Sequence, residues 1–165
     1  MSTEVGNAVS RVVDCSRVYF ECAVARECER LAKYCESPIE VMLGAAFCIR
    51  SDLGIPGFAV IVPPGQDHPK PGKHRLLIHP QYEWESYRID FAFDAAWGKT
   101  VFVECDGHDF HERTKEQAER DRAKDRRIQE AGITIFRFTG SEIYRDPANC
   151  AEQVINFLAK SLPPK

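Results

Sequence analysis

Asp90 and Glu104 are the residues of this chain whose types and spacing point most directly to chemistry. Tyr87, Ile89, Phe91 and Phe93 alternate with Arg88, Asp90 and Ala92, and Val101, Val103 and Cys105 alternate with Phe102, Glu104 and Asp106. That is the period-two pattern of half-buried strands. The intervening Ala95-Ala96-Trp97-Gly98-Lys99 reads as a turn, and a hairpin symmetric about Trp97 sets position 90 opposite 104 and position 88 opposite 106. Directly opposed side chains have Cβ atoms roughly 4.5–5.5 Å apart, where like charges destabilise the pair unless a cation or a proton lies between them. The pattern therefore predicts a divalent metal site. The alternative is a solvated sheet face, which a one-residue slip of register would produce. Apolar residues on both faces of both strands favour a sheet covered on each side. Asp106 is either a third ligand or the cross-strand ion-pair partner of Arg88.

A second pattern follows the hairpin. Arg113, Gln117, Arg120, Lys124 and Arg127 recur at steps of four and three, which places them on one face of a helix about four turns long. The stripe begins beside the acidic hairpin, where a nucleic-acid backbone would lie if the hairpin holds a metal. The other reading is a solvated helix laced by pairs such as Glu116 with Arg120, each contributing only ~0.2–0.5 kcal/mol.

The rest of the chain must position these groups. Its 165 residues, 44% of them hydrophobic, suffice for one cored domain. The net charge of −3 excludes a generally basic polyanion binder, so any nucleic-acid surface is local. The absence of an 18-residue apolar run and of a signal-peptide pattern at Met1-Ser2-Thr3-Glu4 leads to the expectation of a cytoplasmic protein with no membrane partner. Seven cysteines without a Cys-x-x-Cys pair point to reduced thiols rather than a disulfide framework or zinc knuckle.

Residues 8–35 read as a long amphipathic helix, and this N-terminal helical extension (1–36) offers a face for a homodimer. The α/β domain (37–165) opens with Ser37, Pro38 and Glu40 in the N-cap, N1 and N3 positions of a capping box. Strands are predicted over 58–62 and 74–79, with a Pro- and Gly-rich loop over 63–72 between them. The acidic hairpin comes next, then a helix over 112–131, a strand over 133–138 and a helix over 147–162. This order predicts an α/β fold with a mixed central sheet flanked by helices.

Tyr-Arg-Ile-Asp-Phe at 87–91, Val-Phe-Val-Glu-Cys-Asp-Gly-His-Asp-Phe-His at 101–111 and Gln-Ala-Glu-Arg-Asp-Arg at 117–122 resemble the PD-(D/E)XK nuclease superfamily. More narrowly, they resemble its branch of very-short-patch repair endonuclease-like proteins. The resemblance implies a restriction-endonuclease-like αβββαβ core, with Asp90 as the strand aspartate, Glu104 as the glutamate of the Glu-x-Lys motif and Glu40 as the helix acid. The superfamily's lysine has no counterpart, because Asp106 stands in its place. His111, with His108 and Lys115 as alternatives, is the substitute for its proton-transfer role.

The expected catalytic residues are thus Asp90, Glu104, Asp106, His111 and Glu40. Asp90, Glu104 and the backbone carbonyl of Cys105 would hold Mg²⁺ or Mn²⁺, hard ions suited to oxygen donors. Arg113, Gln117, Arg120, Lys124 and Arg127 would contact DNA. The implied activity is metal-dependent endonucleolytic hydrolysis of DNA, with a catalytically inactive DNA-binding or assembly module of the same fold as the alternative.

Overall fold

The computed structural model describes residues 3–54, 59–66, 76–107 and 114–161. Ten elements follow in the order α1 (Thr3–Leu31), α2 (Pro38–Gly54), β1 (Ala59–Ile61), β2 (Leu76–Trp84), β3 (Tyr87–Ala95), β4 (Thr100–Asp106), α3 (Lys115–Glu130), β5 (Thr134–Thr139), α4 (Gly140–Arg145) and α5 (Pro147–Lys160). The strands form one mixed sheet in the order β1-β2-β3-β4-β5, with antiparallel pairing within β2-β3-β4 and parallel pairing at both edges. This is the restriction-endonuclease-like α/β architecture with an N-terminal helix. No helix among the described residues is long and apolar enough to cross a membrane.

Two cores cover the sheet. On one face Phe91, Phe93, Val101, Val103, Leu76 and Ile78 pack with Leu43 and Phe47 of α2 and with Val154 and Leu158 of α5. On the other, Ile89, Ala92 and Phe102 pack against Ile128 of α3, with Tyr82 and Trp84 beside them. Both faces of β3 and β4 are therefore apolar, as their sequence requires. Leu31, at the end of α1, is fully buried in the larger core, and Gly44 of α2 lets it approach. Residues 9–22 of α1 stay exposed, presenting Val9, Val12, Val13, Val18, Tyr19 and Phe20.

The hairpin turns where expected. Phe91 pairs with Val103 and Asp94 with Thr100, which is the register symmetric about Trp97. Gly98 takes a φ of 81°, a conformation that favours glycine. The Trp97 indole donates to the Ser161 hydroxyl at the end of α5, 3.0 Å away, and so anchors the tip.

The strict alternation predicted along β3 does not hold. Ile89 joins the α3-side core, whereas Phe91 and Phe93 join the opposite one, so the strand exchanges faces at Asp90. Strand β2 does the same at Gln81, since Leu76 and Ile78 lie in the larger core but Tyr82 and Trp84 in the smaller. Gln81 has a left-handed φ of 49°. Pro80 beside it has no N–H for the ladder, which favours an interruption there.

Three other elements depart from the sequence reading. β2 runs on past His79 to Trp84, five residues beyond the predicted end, because pairing with β3 carries the ladder past Pro80. The short helix α4 was absent from the reading, although Thr139 and Glu142 form a full capping box for it. The helix predicted from residue 112 begins at Lys115, because Thr114 and Gln117 close a capping box there.

Candidate active site

The two exchanges of face at Gln81 and Asp90 bring four elements to one end of the sheet. Asp90 turns its carboxylate along β4, where one oxygen accepts the Cys105 N–H at 2.7 Å. It therefore occupies a backbone donor with a charged acceptor, a strong bond. Glu40 reaches the same region from α2. It is 7% exposed and accepts from the Ser37 hydroxyl (2.6 Å), the Glu36 N–H (3.0 Å) and the Gln81 amide (2.7 Å). Only half of the expected capping box forms, because the Glu40 N–H donates to the Ser37 hydroxyl but the Glu40 carboxylate takes the Glu36 N–H rather than that of Ser37; these bonds fix a buried carboxylate beside the strand acids.

The β3-β4 pairing ends at Phe91 and Val103, one residue short of Asp90 and Glu104, and Glu104 faces α3. Lys124 of α3 is paired with one oxygen of Glu104, and Arg137 of β5 donates to the other at 3.0 Å. Arg137 also pairs with Asp125. The Lys124 ammonium donates a further bond of 2.8 Å to the Arg88 carbonyl, so it ties β3 to β4 at the acidic end.

Burial, with acids nearby, sets the titration of Asp90. Burial pushes its carboxyl up to about 6, the Cys105 N–H opposes that, and the neighbouring Glu40 and Glu104 raise it further. The Cys105 thiol, buried on the opposite face from Glu104, is driven well above the ordinary thiol range by desolvation and then by Asp90 and Glu40. It is a poor thiolate ligand.

An open cleft of about 660 Å³ lies over this end, with Asp90, Glu104, Gln117, Arg120 and Lys124 among its lining residues. Three members of the predicted basic stripe therefore face the acids. Arg120 is exposed and makes no ion pair among the described residues. Arg127 does not share that freedom, because Glu85 and Glu130 both hold its guanidinium, the Glu85 bond being 2.7 Å long. Arg113, His108 and His111 lie outside the described residues.

Two sequence expectations are corrected here. Arg88 does not pair with Asp106, because its guanidinium forms two bonds of 2.7 and 2.6 Å with Glu36 in the turn before α2. Lys124, expected in the DNA-contacting stripe, is largely buried in an ion pair with Glu104 that the sequence did not predict. Lys115, the alternative lysine, is exposed in the first turn of α3, and it lies nine positions before Lys124, about 13 Å along the axis. Gln81 was missed, since nothing in the sequence links it to Glu40, 41 positions away.

A nuclease family model matches residues 72–158, just over half of the chain, and its description is REase_MTES_1575. The chain belongs to this family. It is a restriction-endonuclease-like family, and its members are read as nucleases. The matched segment contains Gln81, Asp90, Glu104, Lys124 and Arg137, whereas Glu40 and the whole of α1 fall before it. No curated protein and no solved structure matches the chain.

The converging donors suit a hard cation in kind. Among the described residues no group of three His, Cys, Asp or Glu side chains forms a ready metal cage. Mg²⁺ does not require one, since it commonly binds through one or two carboxylates and keeps several waters. The gathering of Glu40 and Glu104 about a buried Asp90, and a buried Gln81 oxygen with no hydrogen-bond partner among the described residues, both fit a cation there.

Proposed function

We propose that this protein is a metal-dependent endonuclease that hydrolyses DNA phosphodiester bonds, with Asp90 and Glu104 holding Mg²⁺ or Mn²⁺ and Lys124 standing in for the superfamily lysine. The observation that carries this reading is the Lys124 ammonium on Glu104, at the end of the strand where a Glu-x-Lys motif would supply its own. An ammonium delivered from α3 reaches the same carboxylate from a different element.

When bound, the ion would lower the pKa of a water and polarise the scissile phosphoryl group. The chain's residues do the rest. Asp90 and Glu104 supply the negative oxygens, with the Cys105 carbonyl as a neutral one, and Glu40 adds negative potential from a fixed position. Lys124 orients Glu104 and offers a proton-bearing cation at the cleft wall, a task that His111 was expected to perform. Arg137 holds the second Glu104 oxygen and limits its rotation. Asp106, at the end of β4, adds further negative charge. Arg120 and Gln117 line the route of a phosphate backbone, and the family membership supports DNA as the substrate. Arg113 would extend that route, whereas Arg127, held by two acids, contributes to it least.

The narrower likeness to very-short-patch repair endonucleases rests on the motif around Glu104 and remains part of the proposal. So does a homodimer through α1, supported by its exposed apolar stripe and decided by sedimentation.

A second reading, a catalytically silent DNA-binding or assembly module, is favoured by one observation. Both oxygens of Glu104 already answer to cations, Lys124 and Arg137, which would compete with a metal. Nicking of supercoiled DNA in Mg²⁺ or Mn²⁺, lost on Asp90→Ala, distinguishes the two. Retention of DNA without cleavage under either ion would favour the silent module.

A further inference from the structure

We infer that Gln81 is a functional member of the centre, a neutral oxygen donor to the bound cation or to its waters, in addition to the acids. This rests on the metal-dependent reading above and assigns a residue outside the superfamily motif.

Four observations converge on Gln81. Pro80 pairs with Phe91 and Tyr82 with Ile89, which places Gln81 opposite Asp90 where both strands exchange faces. Its φ of 49° is unusual for a residue with a side chain, and such backbone strain is commonly retained at functional sites. The side chain is 9% exposed, and its amide Nε2 donates to Glu40 at 2.7 Å. Its Oε1 is buried and has no hydrogen-bond partner among the described residues.

The orientation of the amide is decided by its neighbour, because only the N–H₂ end can face the Glu40 carboxylate. Oε1 is therefore the free end, covalently fixed next to a buried acid. A buried acceptor without a donor costs about 1–3 kcal/mol, so a fold that keeps one invites a reason. A cation supplies it. A fourth carboxylate at this position would add repulsion against Glu40, Asp90 and Glu104, whereas an amide oxygen adds a ligand without adding charge. Gln81 thus couples two roles, since Nε2 steadies Glu40 while Oε1 is offered to the ion.

The test is calorimetric titration of metal-free protein with Mn²⁺, for wild type, Gln81→Leu, Gln81→Asn and Gln81→Glu, alongside their metal-free melting temperatures. We expect Gln81→Leu to weaken Mn²⁺ binding by about 10-fold, in the range that loss of a supporting metal contact produces. Its metal-free melting temperature should fall modestly, because Glu40 loses the Nε2 donor while an unpaired acceptor is removed with it. Gln81→Asn, one methylene shorter, should weaken binding similarly and decides the matter if Gln81→Leu does not fold. Gln81→Glu should restore affinity near pH 8 while lowering metal-free stability, since its carboxylate meets Glu40. A purely structural Gln81 would shift melting temperatures and leave Mn²⁺ affinity unchanged in the folded variants, and that result overturns the inference. Failure of wild type itself to bind Mn²⁺ would instead remove the metal-dependent reading and this inference with it.

Discussion

Lys124 on α3 and Glu104 on β4 are joined as a largely buried ion pair, and the same ammonium donates to the carbonyl of Arg88 on β3. One side chain from a helix therefore closes the acidic end of the hairpin. Breaking such a pair leaves an uncompensated charge, so the contact orders the site as well as charging it.

Lys124→Ala should reduce DNA cleavage by on the order of 10²-fold or more, the scale of a lost proton-transfer or charge-stabilising group. Lys115→Ala should leave the rate nearly unchanged, because Lys115 is exposed in the first turn of the helix. Single-turnover rates on a defined duplex check both. Equal losses in the two variants would contradict the assignment of Lys124.

The raised carboxyl of Asp90 makes a prediction about metal-free stability. A folded-state value of about 6 against an ordinary 3.8 means that the folded protein holds a proton which the unfolded chain gives up earlier. The contribution is fully present below about pH 4 and is lost as pH rises through about 6, on the order of 2–3 kcal/mol in total. Asp90→Asn should abolish that slope, with denaturant melts from pH 4 to 8 as the measurement. A slope unchanged by the substitution would assign the titration elsewhere.

Much of the fold was legible because the residues that decide it act locally. Gly98 in the turn, the alternation of Val101 and Val103 and the Ser37 hydroxyl at the start of α2 each specify structure within a few residues. The hairpin register followed from the same local symmetry. What escaped depends on contacts distant in sequence. The exchange of faces at Gln81 and Asp90 reflects pairing across two strands, and Lys124 becomes a partner of Glu104 only once α3 has packed through Ile128. The Thr139 and Glu142 capping box was readable but starts a helix of only six residues, too short for a periodic pattern to announce.

The stripe on α3 should divide in a DNA-binding titration. Arg120→Ala should weaken binding and reduce the salt slope by about one counterion, whereas Arg127→Ala should leave the slope close to wild type because Glu85 and Glu130 neutralise that guanidinium. Affinities measured from 50 to 200 mM salt, about the range over which phosphate contacts separate, provide the check. Identical slopes for wild type and Arg120→Ala would take Arg120 off the DNA path.

Gly44→Ala tests the packing that carries Glu40. An added Cβ would lie 2.9 Å from Leu31 Cδ1 and 3.1 Å from Phe91 Cζ, both in fully buried side chains. Overpacking costs of ~1–3 kcal/mol outweigh the helix-propensity gain of ~1 kcal/mol. Thermal denaturation should show a net loss of about 1 kcal/mol in most of that range, and a stabilised variant would show that Leu31 moves aside.

The central claim, that Asp90, Glu104 and Lys124 form a working metal-dependent nuclease centre, is tested most directly by incubating supercoiled plasmid with wild type, Asp90→Ala and Lys124→Ala in Mn²⁺, with chelator controls. The account predicts nicked and then linear product from wild type alone, suppressed by chelator. Cleavage by Asp90→Ala at the wild-type rate, or a wild type that binds both Mn²⁺ and DNA yet leaves the plasmid supercoiled, would contradict it.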